Sequence, residues 1–445
     1  MPAAETSKNT VSVPRLSEIA RVFARVGTIG FGGGVGMLAL IRQEIVERRR
    51  WVDDAQLSVA VAMGQMLPGP FVSNYAEYIG YELRGMKGMV VAVIALLAPC
   101  FVLMCGLSFL YFRFGSVPLV TKLFAGVQPV VVGILAWATW SIGKANVRNW
   151  RAGVIGVIAA VALFFKADVL LVVVGCGVLG IVLTRKGQTD KGSKRSSGEE
   201  IKGSSEDEGG RMKDEGGNGK DGRSKSEVRS LRVDGRSGVG ADGQSEIGNR
   251  KSKMLSVVPF LPLLFVAVAV PGVWQRVWEL AFVFLKVGTV IFGGGFAAIP
   301  FLQHEVVDVH HWLSMREFID GVALGQITPG PVAITAAFIG YKVLGFWGAL
   351  IAALGTFLPS SLMLWGLIKV YRRVSSNVLV QGFLSGVMPA VTGMLLVSTV
   401  FIGRSAITGP AQVVLALLSL GLLLWPKVEP VWLILGGALV GIVIG

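Results

Sequence analysis

A glutamine followed by a proline–glycine–proline turn occurs twice in this sequence, within residues 64–70 and 325–331. Proline lacks a backbone N–H and cannot continue a helix, so each turn ends one helix and starts another. The new helix begins with unpaired N–H groups and the positive end of its dipole, which suit an anion. The residues predicted to bind such a ligand are Gln65, Pro68, Gly69 and Pro70 in the first copy and Gln326, Thr328, Pro329, Gly330 and Pro331 in the second.

A glycine triplet precedes each of these turns. Glycine lets backbone N–H groups approach a ligand closely, although small residues also serve helix packing in membranes. The triplet alone favours neither use, but beside the turns it predicts a site for a small anion that accepts hydrogen bonds. The glycines added to the predicted site are Gly32, Gly33 and Gly34 in the first copy and Gly293, Gly294 and Gly295 in the second.

Two pairs of charged residues recur at matching positions around these motifs. Arg25 and Lys286 lie in apolar surroundings and are candidate cations for pairing with the anion. The alternative is that their side chains extend to the membrane interface. Glu44 and Glu305 lie in polar connections and are candidates for a gate or for coupling to protons. The favoured alternative for each glutamate is a solvated, structural carboxylate.

Residue patterns for other kinds of site are missing. The three histidines, His304, His310 and His311, lie in one connection, so we predict no metal site. The sequence has no phosphate-binding loop, no dinucleotide fingerprint and no nucleophile with its base, so we predict no cofactor and no enzyme. A membrane-embedded lipid enzyme or scaffold is kept as the alternative from another functional class.

The composition is that of an integral membrane protein in a lipid bilayer, with 53% hydrophobic and 16% charged residues and a mean hydropathy of +0.64. The apolar runs flanking each turn are shorter than the ~20 residues of a spanning helix, so the turns are predicted to lie within the membrane. The net charge of +14 comes from the ends of apolar runs and from residues 185–253. That distribution anchors a membrane protein and argues against nucleic acid as a partner.

The sequence repeats itself, first at an offset of 261 residues and then of 260. Residues 185–253 lack Phe, Trp and Tyr and hold 17 of the 42 Lys and Arg and 13 of the 28 Asp and Glu. Such a composition cannot form a core, so this linker is predicted to be disordered. The resulting domains are a polar extension (1–15), a first transmembrane domain (16–184), the linker (185–253), a central apolar helix (254–272) and a second transmembrane domain (273–445).

Deleting part of the linker tests its predicted disorder. Because residues 185–253 cannot bury apolar area, a conservative internal deletion should leave folding and membrane insertion largely intact. Membrane fractionation measures insertion. Loss of insertion would contradict the prediction.

Two crossing schemes fit the apolar runs. In one, every run crosses the membrane and the central run adds a crossing. In the other, each proline–glycine–proline segment re-enters and the central run does not cross. Both make the repeats inverted, as in many secondary transporters, while a parallel repeat stays open. The arginines of residues 42–54 have no counterpart in residues 303–315. This bias predicts a cytoplasmic linker and an external C-terminus, in the cell membrane.

The ordered motifs resemble the chromate ion transporter superfamily in its two-domain form. They are the Phe-Gly-Gly-Gly segments, a downstream Glu and Trp, the Gly-Gln-x-x-Pro-Gly-Pro turns and Ile-Gly-Tyr, each present twice. The resemblance implies a polytopic helical transporter that expels chromate, driven by membrane energization. With inverted repeats, we expect transport by alternating access. Sulfate uptake or exchange is the alternative, and a homodimer is compatible with either. The long linker, and Leu67 where the second copy has Thr328, depart from the pattern.

Overall fold

The computed structural model describes residues 14–31, 33–200, 272–375, 377–425 and 428–444. Residues 1–188 and 272–445 form one compact unit, which holds both repeats. Of residues 189–271, assigned to a second unit, the structure describes the end of a helix. The first repeat contains α1 (Leu16–Ile29), α2 (Gly33–Arg42), α3 (Asp54–Met66), α4 (Phe71–Phe114), α5 (Pro118–Asn146), α6 (Trp150–Phe164) and α7 (Val169–Glu200).

The second repeat follows the same order. Its helices are α8 (Val273–Val290), α9 (Ala298–Gln303), α10 (Met315–Ile327), α11 (Thr335–Ser375), α12 (Val378–Ala406), α13 (Pro410–Leu423) and α14 (Pro430–Ile444). Each helix therefore has its counterpart seven helices later, which confirms the predicted helical fold in two homologous halves. Four described helices are long and apolar enough to cross a membrane, namely α4, α5, α11 and α12.

The helices around the two turns end and begin at the predicted proline and glycine positions. α3 and α10 end just before the two turns, and α4 and the 3₁₀ turn Val332–Ile334 begin after them. Both long helices then bend at a second glycine: Gly85 and Gly345 have the same φ of +58°. A positive φ is readily adopted only by glycine, so the glycine at each position makes the bend possible.

Helix α7 extends beyond the predicted end of the first transmembrane domain at residue 184. The linker was predicted to be disordered from residue 185, but α7 continues to Glu200. Residues 185–200 contain no proline and several Lys, Arg and Glu, which are good helix formers, so charge alone does not end the helix. The rest of the linker, residues 201–253, lies outside the described residues. So do Gly32, residues 254–271 of the predicted central apolar helix, and residues 1–13 of the polar extension.

The two repeats cross each other along α5 and α12. Thr139 and Thr399, which occupy matching positions, contact each other through their hydroxyl oxygens at 3.3 Å. Four residues further along α5, Gly143 faces Thr392, seven residues earlier on α12. Because the partner number falls as the residue number rises, these matched helices run in opposite directions.

The last two helices of each repeat pack on the other repeat. α6 lies against α12, while α13 and α14 lie against α5, and α7 also meets α12 through Gly177 and Gly180. Glycines let these backbones approach closely, as small residues do between membrane helices. The close approaches are Gly156 to Gly393, Gly180 to Gly386, Gly133 to Ser419 and Gly126 to Gly437. The halves are thus interlocked rather than placed side by side.

Candidate functional site

A cavity of about 300 Å³ lies where the two proline–glycine–proline turns meet. It is lined from both repeats, so residues far apart in the chain share one site. The predicted residues in its lining are Gly34, Gln65, Pro70, Gly293, Gly294, Gly295, Gln326, Thr328, Gly330 and Pro331. Pro68, Gly69 and Pro329 belong to the same turns but are not among the lining residues, and Gly33 begins α2.

Each turn is held by the backbone of the other repeat. The N–H of Gly69 donates to the carbonyl of Ile291 at 2.6 Å, and the N–H of Gly330 donates to the carbonyl of Gly30 at 2.9 Å. Gly30 and Ile291 are themselves matched positions at the ends of α1 and α8. These two amides are therefore used in joining the repeats and are not available to a ligand.

The same glycines also leave no room for a side chain. Gly69 and Gly330 have φ of +117° and +112°, and a Cβ on either would meet the opposite repeat. At Gly69 it would lie 2.3 Å from the Cβ of Ser360, and at Gly330 2.9 Å from Cys100. Cys100 and Ser360 are again matched residues, so both turns are held in equivalent ways.

Hydrogen-bond donors remain at the start of the helices that follow the turns. The first N–H groups of a helix have no partner within it, and Phe71 and Val332 occupy those positions in the cavity lining. Gln326 adds a side-chain donor, because its Nε2 is buried and has no hydrogen-bond partner. The Thr328 hydroxyl instead donates to the carbonyl of Leu324 at 2.7 Å. Gln326 is thus the better placed of the two polar side chains.

The cavity is lined without a charged side chain among the described residues. Its additional polar groups come from the first repeat, namely Tyr75 on α4 and Trp137 and Ser141 on α5. The sequence analysis missed these three, since nothing local distinguishes them from other residues of long apolar helices. An uncharged, largely apolar lining with a few N–H and O–H donors can bind an anion without a fixed counter-ion.

The two sides of the cavity differ. Gly34 is exposed and a Cβ there would meet nothing within 4 Å, whereas Gly294 packs against the ring of Phe71 and Gly295 against Val332. All of α9 is buried, while its counterpart α2 is partly exposed. The first repeat therefore leaves the space beside Gly34 open, while Gly294 and Gly295 of the second repeat close against the starts of both helices.

The matched charged residues pair with each other outside the cavity. Nζ of Lys286 lies 2.8 Å from both Glu305 and Asp168. Arg25 lies 3.6 Å from Glu44, which also pairs with the neighbouring arginine Arg48 at 2.6 Å. Neither Arg25 nor Lys286 lines the cavity, so their role as cations for the anion stays a prediction.

The expectation that the glutamates are solvated is wrong. Glu44 and Glu305 are 2% and 5% exposed. Each lies in a π-helical segment, Gln43–Arg48 or His304–Val309, which continues the preceding α-helix. Ion pairing accounts for the burial of both glutamates, because a neighbouring cation offsets part of the cost of removing a carboxylate from water. Whether the glutamates act as a gate or in coupling stays a prediction.

Asp168 lies in the connection between α6 and α7, outside the four spanning helices. Burial raises the pKa of Asp168, but hydrogen bonds from Lys286 and from the amides that open α7 more than offset this, so its pKa lies below the ordinary value. Asp168, His304 and Glu305 carry ligand atoms within 4.8 Å of one another, a combination the sequence analysis did not find. The ammonium of Lys286 already supplies a positive charge to both carboxylates.

Comparisons with known proteins agree with this architecture. The chain is 27% identical to the chromate transport protein of Cupriavidus metallidurans, over 98% of this chain and 95% of the relative. It is 26% identical to an uncharacterized transporter of Methanocaldococcus jannaschii, over 87% and 84%. It is also 26% identical to a probable chromate transport protein of Synechococcus elongatus, over 91% and 89%. No solved structure matches the chain.

The family comparison finds the same repeat that the helices show. The chromate transporter family model matches twice, at residues 17–181 and 278–442. These two matches cover the helices of both halves and leave out the linker. The chain therefore belongs to the chromate transporter family.

Proposed function

We propose that this protein carries chromate, or a related tetrahedral oxyanion, across the membrane by alternating access. The observation that carries the proposal is the cavity where both turns meet, with the unpaired Nε2 of Gln326 in its lining. The family supplies the substrate class, since relatives are named as chromate transport proteins. The anion would sit at the starts of the two half-helices.

The chemistry of the cavity suits a dianion that must also leave again. Two helix starts provide partial positive charge and N–H groups, and amide and hydroxyl side chains add neutral donors. A lining arginine or lysine would bind the dianion more tightly, which slows its release. A carboxylate would repel it, and the described lining has neither.

The antiparallel pair α5 and α12 supports inverted repeats. Two matched membrane helices that run in opposite directions start on opposite sides of the bilayer. Inverted repeats exchange conformations in alternating access, and the open Gly34 segment beside the closed Gly294 segment fits one of the two end states. We propose export as the direction, in the cell membrane, with the linker in the cytoplasm.

Chromate accumulation in energized cells tests this function. Cells with the protein should hold less chromate than cells without it, and should survive higher chromate concentrations. Added sulfate should reduce the difference if the site recognises tetrahedral dianions. Greater accumulation of chromate or sulfate in cells with the protein would replace export by the alternative, uptake or exchange of sulfate.

The unpaired amide of Gln326 makes the site testable residue by residue. Gln326→Ala should weaken chromate transport by about tenfold to a hundredfold, because one hydrogen bond to a charged ligand is worth roughly 1.5–3 kcal/mol. Thr328→Val should change it less than about threefold, since its hydroxyl proton is already bonded to Leu324. The measurement is the chromate concentration that halves transport, at equal protein in the membrane. Equal effects of the two substitutions would contradict this assignment.

The remaining proposals concern assembly. The two repeats of one chain complete the cavity, so a homodimer would not be needed to build it. Crosslinking in membranes decides whether two copies associate.

A further inference from the structure

Glu77 is a carboxylate on α4 that is completely buried within a candidate membrane span. Its Oε1 accepts a hydrogen bond of 2.7 Å from Ser361 of the other repeat. Its Oε2 has no partner, and neither has either side-chain atom of the fully buried Asn74. Residues three apart on a helix share a face, so Asn74 and Glu77 place their unpaired polar atoms on the same face of α4.

A second buried carboxylate shows what Glu77 lacks. Asp320 on α10 accepts hydrogen bonds of 2.8 Å from both Tyr111 and Gln128, one to each oxygen. Donors to both oxygens favour the charged form of a carboxylate. Glu77 has a donor to one of its oxygens only. Burial of the other oxygen without a partner favours the neutral form of the carboxyl group.

Among the residues that the structure describes, no cation pairs with Glu77. Helices α1, α2, α3, α10 and α11 pack against α4, and among the described side chains none forms an ion pair with it. Several of these charges are engaged elsewhere: Arg25 with Glu44, Arg42 with Asp54 and Lys342 with Glu317. The other charged or titratable groups on these helices, at the start of α1 and on residues 71–87 of α4 are Arg15, Glu18, Arg21, Arg316, Asp320, Tyr341, Lys369, Tyr371, Arg372, Arg373, Tyr75, Tyr78, Tyr81, Glu82, Arg84 and Lys87.

We infer that Glu77, with Asn74 and Ser361, forms a proton-binding site between the repeats. A proton on Oε2 removes the buried charge and turns that oxygen into a donor, and Oδ1 of Asn74 on the same face of α4 is a buried acceptor without a partner. The proton comes from water and stays on the carboxyl oxygen, so no further reactant is needed.

The site is connected to the anion cavity by direct packing. Asn74 and Tyr75 lie against Gly64, next to Gln65 of the lining, and Ser361 follows Ser360, which lies against Gly69. Phe71, at the cavity, precedes Glu77 by about 9 Å of helix. At that separation a charged Glu77 repels a dianion, and a protonated Glu77 does not. Proton and anion should therefore bind cooperatively, each raising the affinity for the other.

The coupling between the two ligands rests on the proposed function, but protonation of Glu77 does not. Infrared difference spectra of the purified full chain should show the carbonyl band of a protonated carboxyl group at neutral pH. Glu77→Gln should abolish this band, while Glu82→Gln, an exposed carboxylate on the same helix, should leave it. Asn74→Leu should retain the band and shift its frequency, because the acceptor is gone. Asp320→Asn should not change it.

A second measurement follows the coupling. Adding chromate to the protein in weakly buffered alkaline solution should cause proton uptake, seen with a pH dye, and Glu77→Gln should lose it. Absence of the infrared band from the parent at every pH, or its survival in Glu77→Gln, overturns the inference. So does chromate binding that depends on Na⁺ and not on pH. Chromate that fails to bind while the band behaves as expected overturns the proposed function and leaves the proton site standing.

Discussion

Gly330→Ala should reduce chromate transport at least tenfold and lower the thermal stability of the protein. A φ of +112° costs a residue with a side chain about 1–3 kcal/mol, and the new Cβ would lie 2.9 Å from Cys100. Relieving the backbone strain and the close contact would move the turn away from the carbonyl of Gly30, which accepts its hydrogen bond. Gly69→Ala should behave likewise, since its Cβ would lie 2.3 Å from Ser360. Thermal aggregation in detergent and chromate resistance of cells measure the two effects.

Two matched glycines provide the controls. Gly106 and Gly366 lie on the long helices α4 and α11, and a Cβ at either meets nothing within 4 Å. Their substitution by alanine should leave stability and transport unchanged. Combining Gly69→Ala with Ser360→Gly should recover part of the lost stability and transport. The second change removes the contact with the Ser360 side chain, while the strain of the positive φ at residue 69 stays. If Gly330→Ala matched Gly106→Ala in both assays, the interlocked turns would not be essential.

Lys286→Gln should be the most damaging neutralisation of a charged side chain. Lys286 is the shared partner of Asp168 and of the buried Glu305, so its removal leaves two carboxylates without their cation. Breaking a fully buried pair costs about 3–5 kcal/mol, and the cost here is lower because the Asp168 side chain is 38% exposed. Unfolding should therefore occur at a clearly lower temperature, and transport should fall with it.

The matched position predicts a much smaller effect. The Arg25 side chain is 56% exposed, and Glu44 keeps its 2.6 Å pair with Arg48 when Arg25 is lost. Arg25→Gln should cost less than about 1 kcal/mol, as exposed pairs do. Lys342→Gln, at another partly exposed pair, serves as the control for loss of one positive charge. Normal stability and reduced transport in Arg25→Gln or Lys286→Gln would instead assign these cations to the anion path.

The sequence predicts those parts of the fold that depend on local backbone chemistry. Proline and glycine mark the turns at 68–70 and 329–331, and the repeat follows from counting residues. The partners of those turns were beyond prediction, because the carbonyls of Gly30 and Ile291 reach them only across the folded chain. The expectation that the turns free the amides of Gly69 and Gly330 for the anion does not fit the structure, which leaves this role to the amides that follow.

Side-chain clusters were predicted less completely than turns. Asp168 joins Lys286 and Glu305 from 118 residues away in the chain, a meeting that no local pattern indicates. Trp137 was missed as well, because it lies on an apolar helix and reaches the cavity only in the folded chain. Glu77 did carry a signal, since an acidic residue inside an apolar run is costly and points to function.

The crossed hydrogen bonds of the two turns have a consequence for how such a chain can diverge. Each half supplies the acceptor that the other half needs, so a half by itself would have to meet a second copy facing the opposite way. Two identical copies would carry every residue twice. Joined in one chain, the halves keep their mutual dependence but can accumulate separate substitutions. Cys100 stands opposite one turn where Ser360 stands opposite the other, and Glu77 has Ala337 as its counterpart. Covalent fusion thus lets one half specialise while its twin preserves the shared backbone.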